Sequence, residues 1–304
     1  MPPEDLPLDL SFSAASDACV ELSPLVRRVV AGNGGPFTFT GTCSYIVGRG
    51  KVAIIDPGPD RPEHLSALLA AVAGETVAQI VVTHTHQDHS PLSRALQAET
   101  GAPIVGCGPH RASRPLAAGE VNTMEGSGDL LYRPDQELGE GDAVTGPGWT
   151  LRALATPGHT ANHLAFSLPE ENTLFSADHV MAWSTTIVGP PDGSMTDFMA
   201  SLEKLRDRPE TIYWPGHGGP VREPNRFVRA LIHHRRAREV SILNRLRAGD
   251  RLIPDIVAAI YVGLKPELRR AAGLSVFAHL EDLVTRGVAA TDGAPQVSGE
   301  YRLA

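Results

Sequence analysis

Gln79-Ile80-Val81-Val82-Thr83-His84-Thr85-His86-Gln87-Asp88-His89 is the stretch whose reading decides the fold. Its opening apolar run has the character of a short buried strand that ends at Thr83. Four side chains able to bind a metal follow at once: His84, His86, Asp88 and His89. His84 and His86 are two apart, so in an extended turn they project to the same side. Asp88 and His89 come where the chain should enter a helix near Pro91, so one segment can serve two neighbouring ions. A solvated turn is the plain alternative, but three of the chain's 12 histidines fall in this one run.

Three residues further along complete the set. His159 stands in Thr156-Pro-Gly-His-Thr160, where Pro157-Gly158 forces a tight turn after a strand. Asp178 follows the apolar Thr173-Leu-Phe175, in Ser176-Ala-Asp-His179, and His217 lies in Tyr213-Trp-Pro-Gly-His-Gly218. Each is weak by itself. Together they give five imidazoles and two carboxylates, all at strand ends and able to converge on one rim.

The surrounding chain reads as α/β. Residues 42–48 and 51–56 form a hairpin around Arg49-Gly50. Helical spacing runs from Pro62 to Ala73, with Leu65, Leu68, Leu69 and Val72 apolar. Further strands are expected at 103–105, 150–155, 163–167 and 211–214. From Asn225 the texture becomes helical. An amphipathic helix over 227–246 carries Val228, Ile232, Val240 and Leu243 on its inner face, and further helices cover 254–261 and 275–286. The last of these has Val276, Leu280 and Leu283 spaced for burial. An extended Val288-Ala-Ala, a turn at Asp292-Gly293 and Val297 to Leu303 then complete a winged-helix pattern. The expected domains are 1–224 and 225–304.

The 304 residues are 42% hydrophobic and 20% charged, enough for a sizeable core and against disorder. Aromatics are 5%, which argues against a surface built on base stacking. Cys19, Cys43 and Cys107 are too few and too scattered for a disulfide framework, which fits a reducing compartment. The start, Met1-Pro-Pro-Glu-Asp, is acidic where a signal peptide would be basic, and no apolar run approaches ~20 residues. A cytoplasmic protein with no membrane association is therefore expected. The net charge of −8 is uneven: from Arg226 onward 13 basic groups face 8 acidic ones. An acidic body thus carries a basic tail.

The residues quoted above identify the chain as similar to the metallo-β-lactamase-fold hydrolases. Their His-x-His-x-Asp-His run, later His, bridging Asp and final His are all matched over about residues 20 to 222. Asp56, in Ile-Ile-Asp-Pro-Gly, matches an early Asp of that superfamily. The tail resembles the winged helix of the β-lactamase-like subgroup. The resemblance implies a four-layer αββα sandwich with metals at one edge. It implies His84, His86 and His159 on one ion, Asp88, His89 and His217 on the other, and Asp178 between them, with Asp88 and Asp178 catalytic. Asp56 would act behind the ligands. His163 and His179 are candidates to face the substrate, as are the segments Trp183-Ser-Thr-Thr186 and Asp192-Gly-Ser194. His233-His234 reads as a solvated helix face, and Cys43 as a buried, inert strand residue.

Two departures stand out: Ser90 and Ala177 occupy positions where many members have Gly. Two Zn²⁺ are the implied cofactors, Mn²⁺ or Fe²⁺ being compatible with the same donors. A water held by such ions has its pKa lowered from ~15.7 to about 7, so no Ser or Cys nucleophile is required. Hydrolysis of a thioester, ester or lactone is the leading expectation. Endonucleolytic cleavage of single-stranded RNA, favoured by the basic tail, is second. A binding module that merely keeps the fold would need a broken ligand set, and all seven positions are intact. The tail could also pack or form a homodimer.

Overall fold

The computed structural model describes residues 6–122 and 124–304; Met1 to Asp5, the acidic start, and Thr123 lie outside the described residues. Strands β1 (Cys19–Glu21), β2 (Val26–Val30), β3 (Cys43–Val47), β4 (Lys51–Ile55), β5 (Thr76–Val82), β6 (Ile104–Gly106) and β7 (Gln136–Glu137) make one sheet in that order. The expected hairpin is β3–β4, with Tyr45 opposite Ile55 and Val47 opposite Ala53. Helix α1 (Pro62–Ala71) starts on Pro62, where a missing N–H costs nothing, and carries the chain into β5, parallel to β4. Helix α2 (Ser93–Thr100) follows the histidine-rich turn and leads to β6, parallel to β5.

The second sheet has the order β12-β11-β10-β9-β8. It comprises β8 (Ala143–Gly146), β9 (Trp149–Ala155), β10 (Leu164–Leu168), β11 (Thr173–Ala177) and β12 (Ile212–Pro215). Strand alternation divides its side chains between two cores. Leu151, Phe166, Phe175 and Trp214 face the first sheet and join Ile46, Ile54 and Val81 in one cluster. Leu154, Ala165, Leu174 and Tyr213 point the other way, against Phe198 and Leu202 of α3 (Met195–Leu205). Helix, sheet, sheet and helix therefore stack as the αββα sandwich.

Helix α4 (Pro224–Arg247) opens the C-terminal region. Phe227, Val228, Leu231 and Ile232 pack in the cluster with α3, whereas Ile242 and Leu246 enter a third cluster with α5 (Ile253–Ile260) and α6 (Arg269–Thr285). One helix is thus shared between two cores. Its buried stripe includes Val228 and Ile232 as expected, but Val240 is 54% exposed. The stripe passes instead through Arg235 and Ile242. Helix α6 begins six residues before the expected Ser275, and Val276, Leu280 and Leu283 are buried on it. A ribbon of β13 (Ala289–Thr291) and β14 (Tyr301–Leu303) completes the winged helix. Among the described residues no helix is long and apolar enough to cross a membrane.

Candidate metal centre

The topology brings four strand ends together. β5 of the first sheet ends just before His84, and β9, β11 and β12, which run in one direction in the second, end just before His159, Asp178 and His217. The sheets are tied at this edge, where the Cys43 amide donates to Gly216 O at 2.7 Å and the Gly216 amide to Ala177 O at 2.9 Å. Gly216 is needed for close approach: a Cβ there would lie 2.4 Å from Asp178 Oδ1. Gly158 is needed for its backbone, with φ +137° and an added Cβ 2.3 Å from Phe198 Cα. Ala177 has φ +43°, so the departure from Gly falls at a left-handed position and costs about 1 kcal/mol. Ser90, the other departure, is buried and donates to Asp129 Oδ2 at 3.0 Å.

All seven sequence-selected donors meet at this rim. His84, His86 and His159 form one group of converging donor atoms; Asp88, His89 and His217 form another. In the first, His86 Nδ1 and His159 Nε2 are 2.9 Å apart. In the second, Asp88 Oδ2 lies 3.1 Å from His217 Nε2 and 3.6 Å from His89 Nε2, and the two Nε2 atoms are 3.3 Å apart. Donors on one tetrahedral zinc, each about 2.05 Å away, sit about 3.3 Å from one another, so the spacing suits a shared ion. Asp178 touches both groups: Oδ2 is 3.6 Å from His159 Nε2 and 3.4 Å from His217 Nε2, and Oδ1 is 3.5 Å from His89 Nε2.

Surrounding hydrogen bonds fix the rings. Asp56 accepts from the Thr83 amide at 2.8 Å, the Thr83 hydroxyl at 2.7 Å and His89 Nδ1 at 2.9 Å. With its hydroxyl proton so used, Thr83 Oγ1 accepts from His84 Nδ1 at 3.0 Å. His159 Nδ1 donates to Ile187 O at 2.7 Å and His217 Nδ1 to Gly41 O at 3.2 Å. Each bond puts the ring proton on Nδ1 and leaves the Nε2 lone pair toward the rim. Asp56 also has donor atoms near His84 and His89. Its two oxygens already accept three hydrogen bonds, which set the orientation of His89 and, through Thr83, of His84.

The donors' charge states match a cation. Burial, then the neighbouring rings, hold His84 well below its ordinary pKa and His86 at about 3; burial lowers His159 too. Burial would also lower His89, but the Asp88 and Asp178 carboxylates outweigh it and raise the ring to about 10. Against the same burial, Asp178 heads the groups that raise His217. Protons on those two rings thus answer the carboxylates, a task a divalent ion would take over. Buried Nε2 of His84 and Oδ1 of Asp178 have no hydrogen-bond partner among the described residues. The donor set fits a metal.

His163 and His179, expected on the substrate side, are placed otherwise. They are 1% and 0% exposed, and neither lines the cavity over the rim. His179 directly follows Asp178 and so turns to the opposite side, 4.5 Å from the Phe198 ring. His163 stacks 5.0 Å behind His84, its Nδ1 bonded to Thr156 Oγ1 at 2.8 Å. The cavity is about 980 Å³ and takes walls from both parts of the chain. Trp183 to Thr186 line it as expected, whereas Asp192 is buried beneath and accepts from His110 Nε2 at 3.0 Å. His234 is half-buried on the cavity wall, not solvated as expected, while His233 is exposed. Sequence reading also missed His110, whose Nδ1 bonds Thr85 Oγ1 at 2.9 Å between two ligand histidines, and Arg235. An isolated His in a Gly-Pro-His turn and an Arg among many on a helix give no periodic signal.

Comparison with known proteins agrees with this geometry. Residues 37–217 match the model of the metallo-beta-lactamase superfamily, and residues 253–296 that of the beta-lactamase associated winged helix domain. The chain is 32% identical over 273 residues to a Caenorhabditis elegans protein described as beta-lactamase-like protein 2 homolog, covering 88% of this chain and 87% of that one. It is also 32% identical over 232 residues to an atrochrysone carboxyl ACP thioesterase of Aspergillus fumigatus, covering 73% of this chain and 65% of that protein. A solved metallo-beta-lactamase family protein from Thermus thermophilus superposes with a TM-score of 0.75 at 25% identity, covering 93% of this chain and 100% of that one.

Proposed function

The chain belongs to the metallo-β-lactamase superfamily of hydrolases, and from that premise we propose that it is a two-metal hydrolase of thioesters. His84, His86 and His159 would hold one ion, Asp88, His89 and His217 the other, and Asp178 would lie between them. Zinc suits this nitrogen-rich set best. When bound, the ions would supply a water acidic enough to ionise near neutral pH and would draw charge from the reacting carbonyl. The remaining work falls to the chain. Asp88 is the more open carboxylate, with 27% of its side chain exposed against 9% for Asp178. We assign to Asp88 the acceptance of the attacking water's proton and its return to the departing thiolate. Asp178 holds the two groups together.

The observation that carries the reading is the convergence of all seven donors under one cavity; the thioesterase relative supplies the bond class. The RNA alternative draws on the basic tail, but its exposed arginines are largely spent. Arg226 pairs with Glu223, Arg229 with Asp207, Arg236 with Glu203 and Arg245 with Asp250. Cations already matched by carboxylates gain less from neutralising phosphates.

The test is turnover of a thioester panel and of an unstructured RNA oligonucleotide by protein whose metal content has been measured, beside Asp178→Ala. Thioester hydrolysis at two metals per chain, lost with the metal in Asp178→Ala, is expected. RNA cleavage without thioester hydrolysis would replace the proposal with the nuclease reading.

A further inference from the structure

The cavity has two chemically distinct ends. The metal-side end holds the carboxylates and imidazoles of the rim; the part walled by the C-terminal region includes His234, Arg235, Arg238, Tyr261 and Glu267. Arg235 is 3% exposed, and its guanidinium donates through Nη2 to Thr186 O and lies 5.0 Å over the Phe198 ring. Arg238 is half-buried with its guanidinium 4.2 Å over Tyr261. Among the described residues neither has a carboxylate within ion-pair distance, and Nε of each is buried without a hydrogen-bond partner. The contrast lies within one helix, since Arg226, Arg229, Arg236 and Arg245 of α4 each pair with a carboxylate. Guanidinium offers five donors, and a buried cation left unpaired is costly. Burial lowers Arg235 only to about 10, so it stays charged at neutral pH.

We propose that Arg235 and Arg238 form an anion subsite that holds a carboxylate or phosphate of the substrate, remote from the bond that is cut. A guanidinium pair matches either oxyanion by paired N–H donors. Cavities of roughly 300–1,000 Å³ suit small ligands, so the metals and the subsite can engage opposite ends of one molecule. The inference rests on the thioester reading for the choice of substrate. The oxyanion could belong to the acyl part, as a carboxylate, or to the thiol part, as a phosphate.

Three thioesters with the same scissile bond decide it: one neutral, one with a terminal carboxylate on the acyl chain, one with a terminal phosphate on the thiol. We expect at least one charged thioester to have a KM roughly tenfold below the neutral one, the size of a charge-assisted contact. In Arg238→Gln that preference should vanish; in Arg247→Gln, on the same helix but outside the cavity, it should persist. Whichever charged compound gains identifies the source of the anion. Should Arg238→Gln fail to fold, Arg238→Lys keeps charge without the fork and should lose roughly threefold of the preference. Equal KM for all three compounds, or an undiminished preference in Arg238→Gln, overturns the subsite. If no thioester turns over, calorimetric binding of the corresponding non-hydrolysable thioethers reads the same preference. A preference there, lost in Arg238→Gln, keeps the subsite while the thioester reading falls.

Discussion

Asp56 shows how one buried carboxylate can fix the rings of a candidate metal centre. Its carboxylate collects Thr83 and His89 and, through the Thr83 hydroxyl, sets the tautomer of His84. Replacing it with Asn leaves two rings free to rotate and removes an acceptor from each path. Asp56→Asn should weaken metal binding by about 10–100-fold, read by competition with a chelator; unchanged affinity would mean the bonds do not orient the ligands. At this scale the sequence was most legible where residue types cluster. His84, His86, Asp88 and His89 share one short run, and spacing alone put them on one rim. His179 misled because the residue beside Asp178 points to the other side of the backbone, and His163 because it packs against the His84 ring behind the rim. Sequence proximity to the rim therefore does not give access to it.

Elements carry the geometry that residues exploit. The Pro157-Gly158 turn aims His159, and its glycine occupies a backbone region that L side chains avoid, against the Phe198 backbone. Gly158→Ala should destabilise the protein by about 3 kcal/mol or more, since both strain and overlap must be relieved. A thermal midpoint within a degree of wild type would refute this. On α6, His279 is buried with neither ring nitrogen bonded among the described residues, and burial, then Arg235 and Arg238, lowers it to about 3. The folded state therefore refuses a proton that the unfolded chain accepts below about 6.5. Stability should fall as pH drops from about 6.5 toward 3, by at most about 1.4 kcal/mol per unit from this residue, and be flat above. Denaturation of His279→Leu across that range should show the shallower slope; an identical slope would remove His279 as the cause. The strands of the second sheet were readable from their apolar runs, because β9 to β12 each bury one face in each core. The start of α6 was not: Arg269 and Arg270 extend the helix with charge, beyond its apolar pattern.

The whole molecule does not divide where its texture changes. Phe227, Val228, Leu231 and Ile232 cover the outer face of the second sheet's helix layer, so the body relies on the tail for part of its core. Each such side chain contributes about 1.5–3 kcal/mol on burial, a sum comparable to a typical domain's entire stability. Removing residues 225–304 should leave a body without a sharp cooperative unfolding transition by calorimetry. A truncated chain that melts like the intact one would show the two cores to be independent. No property of the sequence announced this, since amphipathicity says that a helix is covered and not by what.

Adjacent carbonyls on one short segment make the last point. Thr186 O takes the guanidinium of Arg235, and Ile187 O takes the ring proton of His159. The strand ends proposed to break the bond and the tail proposed to select the molecule are thus sewn along one seam. Changes in the tail can retune what enters while the strand ends keep their chemistry, so long as that stitch at 186–187 is preserved. For anyone exchanging tails between relatives, compatibility is decided there before any contact with substrate.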